Sequence, residues 1–211
     1  LSGEEFSRLR ACIAALPTAV KPRVCASLGR LAAEQLTDLA AAGLSRYHHN
    51  LETSQAYYPH VCTTQTWEQR RETVLRGMRV GFTACTGGLF GLGESWEDRV
   101  AFAFSLKKLG VRQVPMNFLH PHPQTPLAGQ PPLTAEEALR IVALFRHILP
   151  TATLRICGGR PVVLGDRQAE AFAAGANALM TGDYLTTHGQ CLESDLNMLA
   201  RLGLEVDGDG V

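Results

Sequence analysis

The most constraining feature of this 211-residue chain is its order of short apolar runs and longer helical runs, which alternate almost without exception. A helix is expected from Ser2, with Gly3, Glu4 and Glu5 in its first turn, to about Leu16 before Pro17. Strands are predicted over 23–28, 45–50, 82–86, 112–118, 152–157 and 177–181. Helices are predicted over 33–42, 66–79, Ser95–Leu109, Thr134–Leu149, 166–174 and 190–202. Gly43, Gly81, Gly110, Gly175 and Gly203 stand where these helices should stop, and Thr134 with Glu137 has the spacing of a capping box. The order is therefore one helix followed by about six βα units. Strict βα alternation implies an α/β fold with a parallel sheet and right-handed crossovers. Two architectures fit: an open doubly wound sheet, or a (βα)8 TIM-type barrel that is incomplete at about six units. No Pro/Ser-rich linker interrupts the pattern, so residues 1–211 read as one domain. The chain opens on Leu1 at the start of a helix, and the expectation is a fragment with further βα units upstream.

Several function classes are disfavoured. Lys+Arg and Asp+Glu are 20 each, with no basic block, which argues against a general nucleic-acid binder. No uncharged apolar run approaches the roughly 20 residues of a membrane span, and no signal-peptide pattern opens the chain. A cytoplasmic protein is expected. The six cysteines, at 12, 25, 62, 85, 157 and 191, lack the dense spacing of a disulfide framework. Cys25, Cys85 and Cys157 lie in or beside predicted strands, where a cysteine is commonly a small buried hydrophobe.

In a parallel barrel the functional groups come from the C-terminal ends of strands and the loops after them. Cys25, Ser27, His48, His49, Asn50 and Glu52 occupy such places. So do Cys85, Asn117, Arg155, Cys157, Asp183, Thr186 and Thr187. This convergent polar ring predicts a central pocket. The run Gly87–Glu94 follows a strand and precedes a helix; it matches neither a Walker loop nor the dinucleotide fingerprint, and reads as a tight turn or a ligand cradle. His48 and His49 are adjacent, so a strand would turn them to opposite sides, which disfavours a two-His metal pair. His120 and His122 share one side of an extended segment but have no third ligand nearby. Asn50 and Asn117 suit a urea- or amide-like ligand, or cap strand ends. Arg155 sits inside an apolar strand; if it faces the interior it needs an anionic partner, commonly a carboxylate and rarely a metal–sulfur cluster.

Taken together and in order, several segments resemble one family. They are Tyr-His-His-Asn-Leu-Glu-Thr-Ser (47–54), Cys62-Thr-Thr, Ala84-Cys-Thr-Gly-Gly-Leu-Phe-Gly-Leu-Gly-Glu-Ser-Trp-Glu-Asp-Arg, Val114-Pro-Met-Asn-Phe-Leu and Leu154-Arg-Ile-Cys-Gly-Gly-Arg. Ala174-Gly-Ala-Asn-Ala-Leu-Met and Gly182-Asp-Tyr-Leu-Thr-Thr complete the set. From about residue 20 to 205 the chain resembles biotin synthase, a member of the radical S-adenosylmethionine (SAM) superfamily. The resemblance implies a (βα)8 barrel that inserts sulfur into dethiobiotin. A [4Fe–4S] cluster would reduce SAM to a 5′-deoxyadenosyl radical, and a [2Fe–2S] cluster would donate the sulfur. Two of the family's [2Fe–2S] cysteine ligands fall on Cys25 and Cys85, and its arginine ligand on Arg155. Asn50 and Asn117 fall on residues that bind the ureido-ring region of dethiobiotin, and Thr186 and Thr187 near its carboxylate tail. For SAM, Glu52 matches a ribose-binding carboxylate and Arg70 a residue near the methionyl group. Gly87, Gly88, Leu89, Gly91 and Glu94 belong to the motif lining the adenosyl site. An electron donor such as flavodoxin or ferredoxin and a homodimer are further implications.

The chain also departs from the family. The Cys-x3-Cys-x2-Cys motif is absent from these 211 residues, as is the remaining [2Fe–2S] cysteine; Cys12, on a helix, is a poor substitute. Leu89 stands where Ile is usual, and Pro161 where Glu is usual. By itself this chain is expected to be inactive. No residue need act as a general acid or base, because the chemistry belongs to the cofactors. The alternatives are another radical-SAM barrel of the hydrogenase maturase or methylornithine synthase type, and an inactive remnant that binds a small ligand.

Overall fold

The computed structural model describes residues 3–17, 24–184 and 188–207. Its strands are β1 (Cys25–Ala26), β2 (Arg46–His48), β3 (Thr83–Cys85), β4 (Gly88–Phe90), β5 (Gln113–Phe118), β6 (Thr153–Ile156) and β7 (Ala178–Leu179). The helices are α1 (Gly3–Ala15), α2 (Ala33–Ala41), α3 (Tyr58–Val61), α4 (Trp67–Arg79), α5 (Trp96–Leu109), α6 (Ala135–Ile148), α7 (Arg160–Leu164), α8 (Glu170–Ala173) and α9 (Leu192–Arg201). All strands pair in parallel in the order β1-β2-β3-β5-β6-β7, with β4 also on β5. The result is the α/β half-barrel expected of six βα units.

The local signals act as the sequence predicts at most helix ends. Thr66 Oγ1 accepts from Gln69 N at 3.2 Å while Gln69 Oε1 accepts from Thr66 N at 3.0 Å. Ser95 and Asp98 form the same reciprocal box on α5. Gly43, Gly81, Gly110, Gly175 and Gly203 all adopt positive φ. The Thr134–Glu137 box is only half formed. Thr134 Oγ1 accepts from Glu137 N at 3.2 Å, but the Glu137 carboxylate turns to Arg99 at 2.7 Å instead. A buried guanidinium is a stronger partner for a carboxylate than one backbone N–H.

Other expectations are revised. The helix placed at 166–174 is instead α7, a 3-10 turn at Gly165–Arg167, and α8. Pro161, in the first turn of α7, is compatible with an early start because a helix leaves its first N–H groups free. The strand at 23–28 contracts to β1, with Arg23 outside the described residues, as is Ser2, the expected first cap. Strand β4 and helix α3 were not expected. β4 continues β3 at one sheet position: Glu52 bridges Gly88 on one side, and Gly88–Phe90 pair with Met116–Phe118 on the other. The interruption at Thr86-Gly87 is held by Gly87 O, which accepts from Leu51 N (3.0 Å) and Glu52 N (3.3 Å). A Cβ on Gly87 would lie 1.8 Å from Pro115 O, and one on Gly88 2.2 Å from Glu52 O. Glycine is required there by packing within the sheet, whatever the run does for a ligand.

Register sorts the strand side chains onto two faces. Tyr47, Val114, Met116, Phe118, Leu154 and Ile156 are buried and meet the helices. Phe90 approaches Phe145 edge-on at 5.1 Å, and Phe102 approaches it at 5.8 Å, within the main core. Phe6 and Ile13 of α1 join Leu36 and Leu39 of α2 in a smaller cluster, where Tyr47 stacks on Phe82 at 5.7 Å. The alternate residues face the other way. Arg46 pairs with Cys25 and Thr83, His48 with Cys85, Cys85 with Gln113, and Pro115 with Arg155. This second face is polar and partly open, and it carries Cys25, Cys85, Asn117 and Arg155 together.

Candidate active site

Cys25, at the edge strand β1, is exposed, whereas Cys85 and Cys157 are buried. Burial as a small hydrophobe therefore holds for two of the three. None of the six cysteines is in a disulfide. The Cys25 and Cys85 thiols lie on the same sheet face and influence each other's ionisation. Cys25, with His48 and the charge of Arg155, holds the Cys85 thiol well below its ordinary range. The Cys25 thiol is correspondingly pushed up, first by Cys85 and then by partial desolvation against the sheet, although the residue is exposed at its edge. Arg155 forms no ion pair with a carboxylate among the described residues; its charge acts on Cys25, Cys85 and Cys157. Burial pushes the Cys157 thiol up to about 12, so it stays protonated.

Beside this group lies a polar cavity of about 450 Å³ at the C-terminal ends of β1 and β2. Asn50, Glu52 and Arg70 meet in its wall with His48 and His49. Glu52 takes a left-handed conformation, φ 69°, that a non-glycine residue rarely adopts. It is held there by the β4 bridge and by its own carbonyl, which accepts from Leu89 N at 2.9 Å. Arg70, on α4, donates from Nε to Tyr58 OH (2.7 Å) and from Nη1 to Asn50 O (2.7 Å), and lies 3.5 Å from Glu52. Burial raises the Glu52 carboxyl, and Arg70 opposes that shift. Both histidines line the cavity, contrary to the strand-alternation argument, because β2 ends at His48 and the alternation ends with it. Desolvation, then Arg70, lowers His49 to about 4, so it is neutral at physiological pH. Its Nε2 is buried without a hydrogen-bond partner among the described residues.

The remaining expected residues divide. Asn50 Oδ1 accepts from Gly87 N at 3.0 Å. Asn117 Oδ1 accepts from Gly158 N at 3.1 Å, and its Nδ2 donates to Gly88 O at 3.2 Å. Both carboxamides therefore cap strand ends, and Asn117 uses both its ends to do so. Leu89 pairs with Asn117 and shares its face. Gly91 packs against Leu133. Glu94 points into the protein: its two oxygens accept from Gly91 N (3.0 Å) and Leu92 N (2.8 Å), and Arg99 pairs with it at 2.8 Å. Its contribution is to shape the loop after β4. Thr186 and Thr187 lie outside the described residues. His120 and His122 join no group able to hold a metal ion among the described residues. Arg30, Thr64 and Gln65 also line the polar cavity and were not singled out in the sequence. Arg30 follows Gly29 in the loop after β1, a position the strand-end rule covers.

A second cavity, of about 480 Å³, is bordered by Tyr58, Pro59, Trp67 and Cys62. Hydrogen bonds from Thr64, whose Oγ1 lies 3.4 Å from Sγ, and from Tyr58 lower the Cys62 thiol to about 7. Alkylation of the Cys62 peptide by iodoacetamide, followed by mass spectrometry, should therefore rise through a midpoint near pH 7. Below it the thiol is protonated and slow; above it the thiolate reacts. Thr64→Val should move the midpoint upward. A profile for Cys62 that follows an ordinary thiol in both proteins would contradict this.

A parallel half-barrel with cysteines, carboxamides and an arginine at its strand ends has the design of a radical SAM barrel. Comparison with known proteins agrees. The Radical SAM superfamily model matches residues 4–106, and the Biotin and Thiamin Synthesis associated domain model matches residues 115–205. A biotin synthase of Desulfovibrio desulfuricans is 73% identical over 209 residues, covering 99% of this chain and 66% of that protein. One from Pelotomaculum thermopropionicum is 51% identical, covering 87% and 57%. The chain belongs to the biotin synthase family. It spans less than two thirds of the length of these relatives. Among solved structures, methylornithine synthase superposes with a TM-score of 0.79 at 18% identity, covering 97% of this chain and 64% of that one. HydG, a maturase of the [FeFe]-hydrogenase, superposes at 0.74 and 15%, covering 94% and 49%. These two likenesses concern the fold alone. No helix among the described residues is long and apolar enough to cross a membrane.

Proposed function

We propose that this chain forms the SAM- and dethiobiotin-holding part of an enzyme that inserts sulfur into dethiobiotin to make biotin. The observation that carries the reading is the convergence of Cys25, Cys85 and Arg155 on one polar sheet face, with sulfur rather than carboxylate around the arginine. Membership in the biotin synthase family supports it. Because β3, β4, β5 and β6 share one sheet, the two matched regions are read as one barrel domain.

The donor set suits a [2Fe–2S] cluster. Cys85 offers a thiolate and Cys25 a second sulfur, and Arg155 supplies a compensating positive charge. The polar cavity suits SAM: it combines a carboxylate, two guanidinia and the buried, unpartnered His49 Nε2. When bound, these groups supply radical hydrogen abstraction and the inserted sulfur. The chain's own residues bind and orient. Glu52 accepts from ribose hydroxyls, Arg70 fixes Glu52 and Asn50 in place, and Leu89 covers the adenosyl side. Asn50 and Asn117 border the ureido ring, and Thr186 and Thr187 the carboxylate tail. Holding substrate and cofactor together in a site shielded from water is the protein's share of the rate. No Cys-x3-Cys-x2-Cys occurs in the 211 residues, so no residue here is assigned to a [4Fe–4S] cluster. An electron donor of the flavodoxin or ferredoxin type and a homodimeric assembly belong to the same reading.

The test is an anaerobic assay of the protein that carries this chain, reconstituted with iron and sulfide and supplied with SAM, dethiobiotin and a reductant. Biotin and 5′-deoxyadenosine are expected together. Deoxyadenosine without biotin would replace sulfur insertion by another radical-SAM reaction. Neither product would overturn the reading as a whole.

A further inference from the structure

Helix α5 is apolar on both of its sides. Arg99, Phe102, Ala103 and Leu106 are buried, while on the opposite side Trp96 is 40% exposed, Val100 36% and Phe104 52%. A helix with apolar residues all round is ordinarily covered on both sides. α5 joins β4 to β5, which are interior strands, so its outer face lies away from both sheet edges. Glu97, Lys107 and Lys108 are exposed on that same outer side. At about 3.6 residues per turn the six residues fill an arc of roughly 120°. Trp96 and Lys107 run along one edge of the arc, Val100 and Phe104 along its middle, and Glu97 and Lys108 along the other edge. Glu97 and Lys108 are about 16 Å apart along the axis. That is too far for the pairing within one helix that Glu72 makes with Arg76 on α4, or Glu136 with Arg140 on α6. An acid at the start and bases at the end also suit the helix dipole, but the dipole does not account for the apolar middle.

We propose that this face of α5 docks on the same face of a second copy of the chain, antiparallel, across a two-fold axis at the level of Phe102. Such an axis lays each edge of the face against its own copy. The face is self-complementary in that arrangement. Val100 meets the partner's Phe104, Glu97 meets the partner's Lys108, and Trp96 meets the partner's Lys107, each match occurring twice. All three matches put the axis at the same level of the helix, within a residue. They give an apolar centre flanked by ion pairs on one edge and by cation–π contacts on the other. The shallow crossing of about 20° keeps the charged ends within reach. A parallel pair would instead set Lys107 against the partner's Lys108. This gives a surface to the homodimer of the proposed function, and it depends on α5 alone, not on SAM or dethiobiotin.

Sedimentation equilibrium of the anaerobically reconstituted protein that carries this chain, over the micromolar range, tests this. A monomer–dimer equilibrium is expected. Phe104→Asp puts a charge in the apolar centre and should raise the dimer Kd by about tenfold or more. Glu97→Lys and Lys108→Glu, measured separately, should each weaken the dimer by about tenfold or more, because each sets like charges together on both sides of the axis. Mixing those two variants should restore a dimer close to the parent's strength, since every charged pair is then opposite in sign again. That recovery also shows that both variants are folded. A parent protein that stays monomeric throughout would overturn the proposal. So would a dimer that Phe104→Asp leaves intact, because the copies would then meet elsewhere. Weakening by the charge variants without recovery on mixing would overturn the antiparallel pairing. None of the six residues lines either cavity, so failure here leaves sulfur insertion to its own assay.

Discussion

Replacing Cys85 with alanine should strip the reconstituted protein of its [2Fe–2S] absorption and lower bound iron and sulfide for that cluster by roughly tenfold or more, because a directly ligating group is removed. The effect is expected to be large because Cys85 is the buried thiol of the pair and is held below its ordinary range by Cys25, His48 and Arg155. A thiol whose pKa is lowered gives up its proton to a metal more readily. Cys25→Ala should cost almost as much, since it removes a sulfur and also the largest of the influences that lower the Cys85 thiol. Arg155→Ala should perturb the spectrum while leaving cluster content largely in place, because the sulfur donors remain. Iron and sulfide counts with optical and Mössbauer spectra separate these cases. Unaltered cluster content in Cys25→Ala and Cys85→Ala would remove the basis for a sulfur-donating cluster on this face.

The largest effect on stability should come from Arg99. Its side chain is 4% exposed and joins Glu94 at 2.8 Å and Glu137 at 2.7 Å, with its guanidinium over Trp96 at 4.7 Å. The Glu94 side chain is 1% exposed and holds the loop after β4 through Gly91 N and Leu92 N. Arg99→Ala would leave that carboxylate buried without a counter-charge, at a cost of about 3–5 kcal/mol. The urea midpoint should fall with little change in slope. Arg99→Lys keeps the charge but cannot fork to both carboxylates, and should lie between the two. A loss below about 1 kcal/mol in Arg99→Ala would mean that water replaces the guanidinium, as at an exposed pair. Arg160 and Asp195, 2.5 Å apart, form a second buried pair linking α7 to α9. Arg160 also donates to Met180 O at 3.2 Å.

Glu94 illustrates how far resemblance reaches. Its place in the motif points toward the adenosyl site, yet both its oxygens serve the chain itself. Asn117 is similar, since both ends of its carboxamide bond to backbone. The glycine run, open in the sequence between turn and cradle, contains strand β4; Gly87 before it and Gly88 at its start are required by the close approach of Pro115 O and Glu52 O. The signal for β4 was weak because a strand of three residues containing glycine has neither the length nor the β-branched side chains that make a strand visible. Helix α3 spans four residues and was hidden for the same reason of length.

What the sequence determined by itself is the alternation, the parallel sheet and the helix ends, because these depend on neighbours within a few residues: Thr66 with Gln69, Ser95 with Asp98, a glycine after each last turn. It also brought the family into view, through motifs that are contiguous in the chain. Tertiary structure alone decided which groups share a face and which are already engaged. Cys25 and Cys85 are 60 positions apart in the chain and Arg155 is further still, and only the strand register brings them together. Arg30 and Arg70 read alike as letters. They differ because Tyr58, Asn50 and Glu52 fold around Arg70, whereas Arg30 has no hydrogen-bond partner among the described residues, and a hydrogen bond's partner is set by position in space, not by order along the chain.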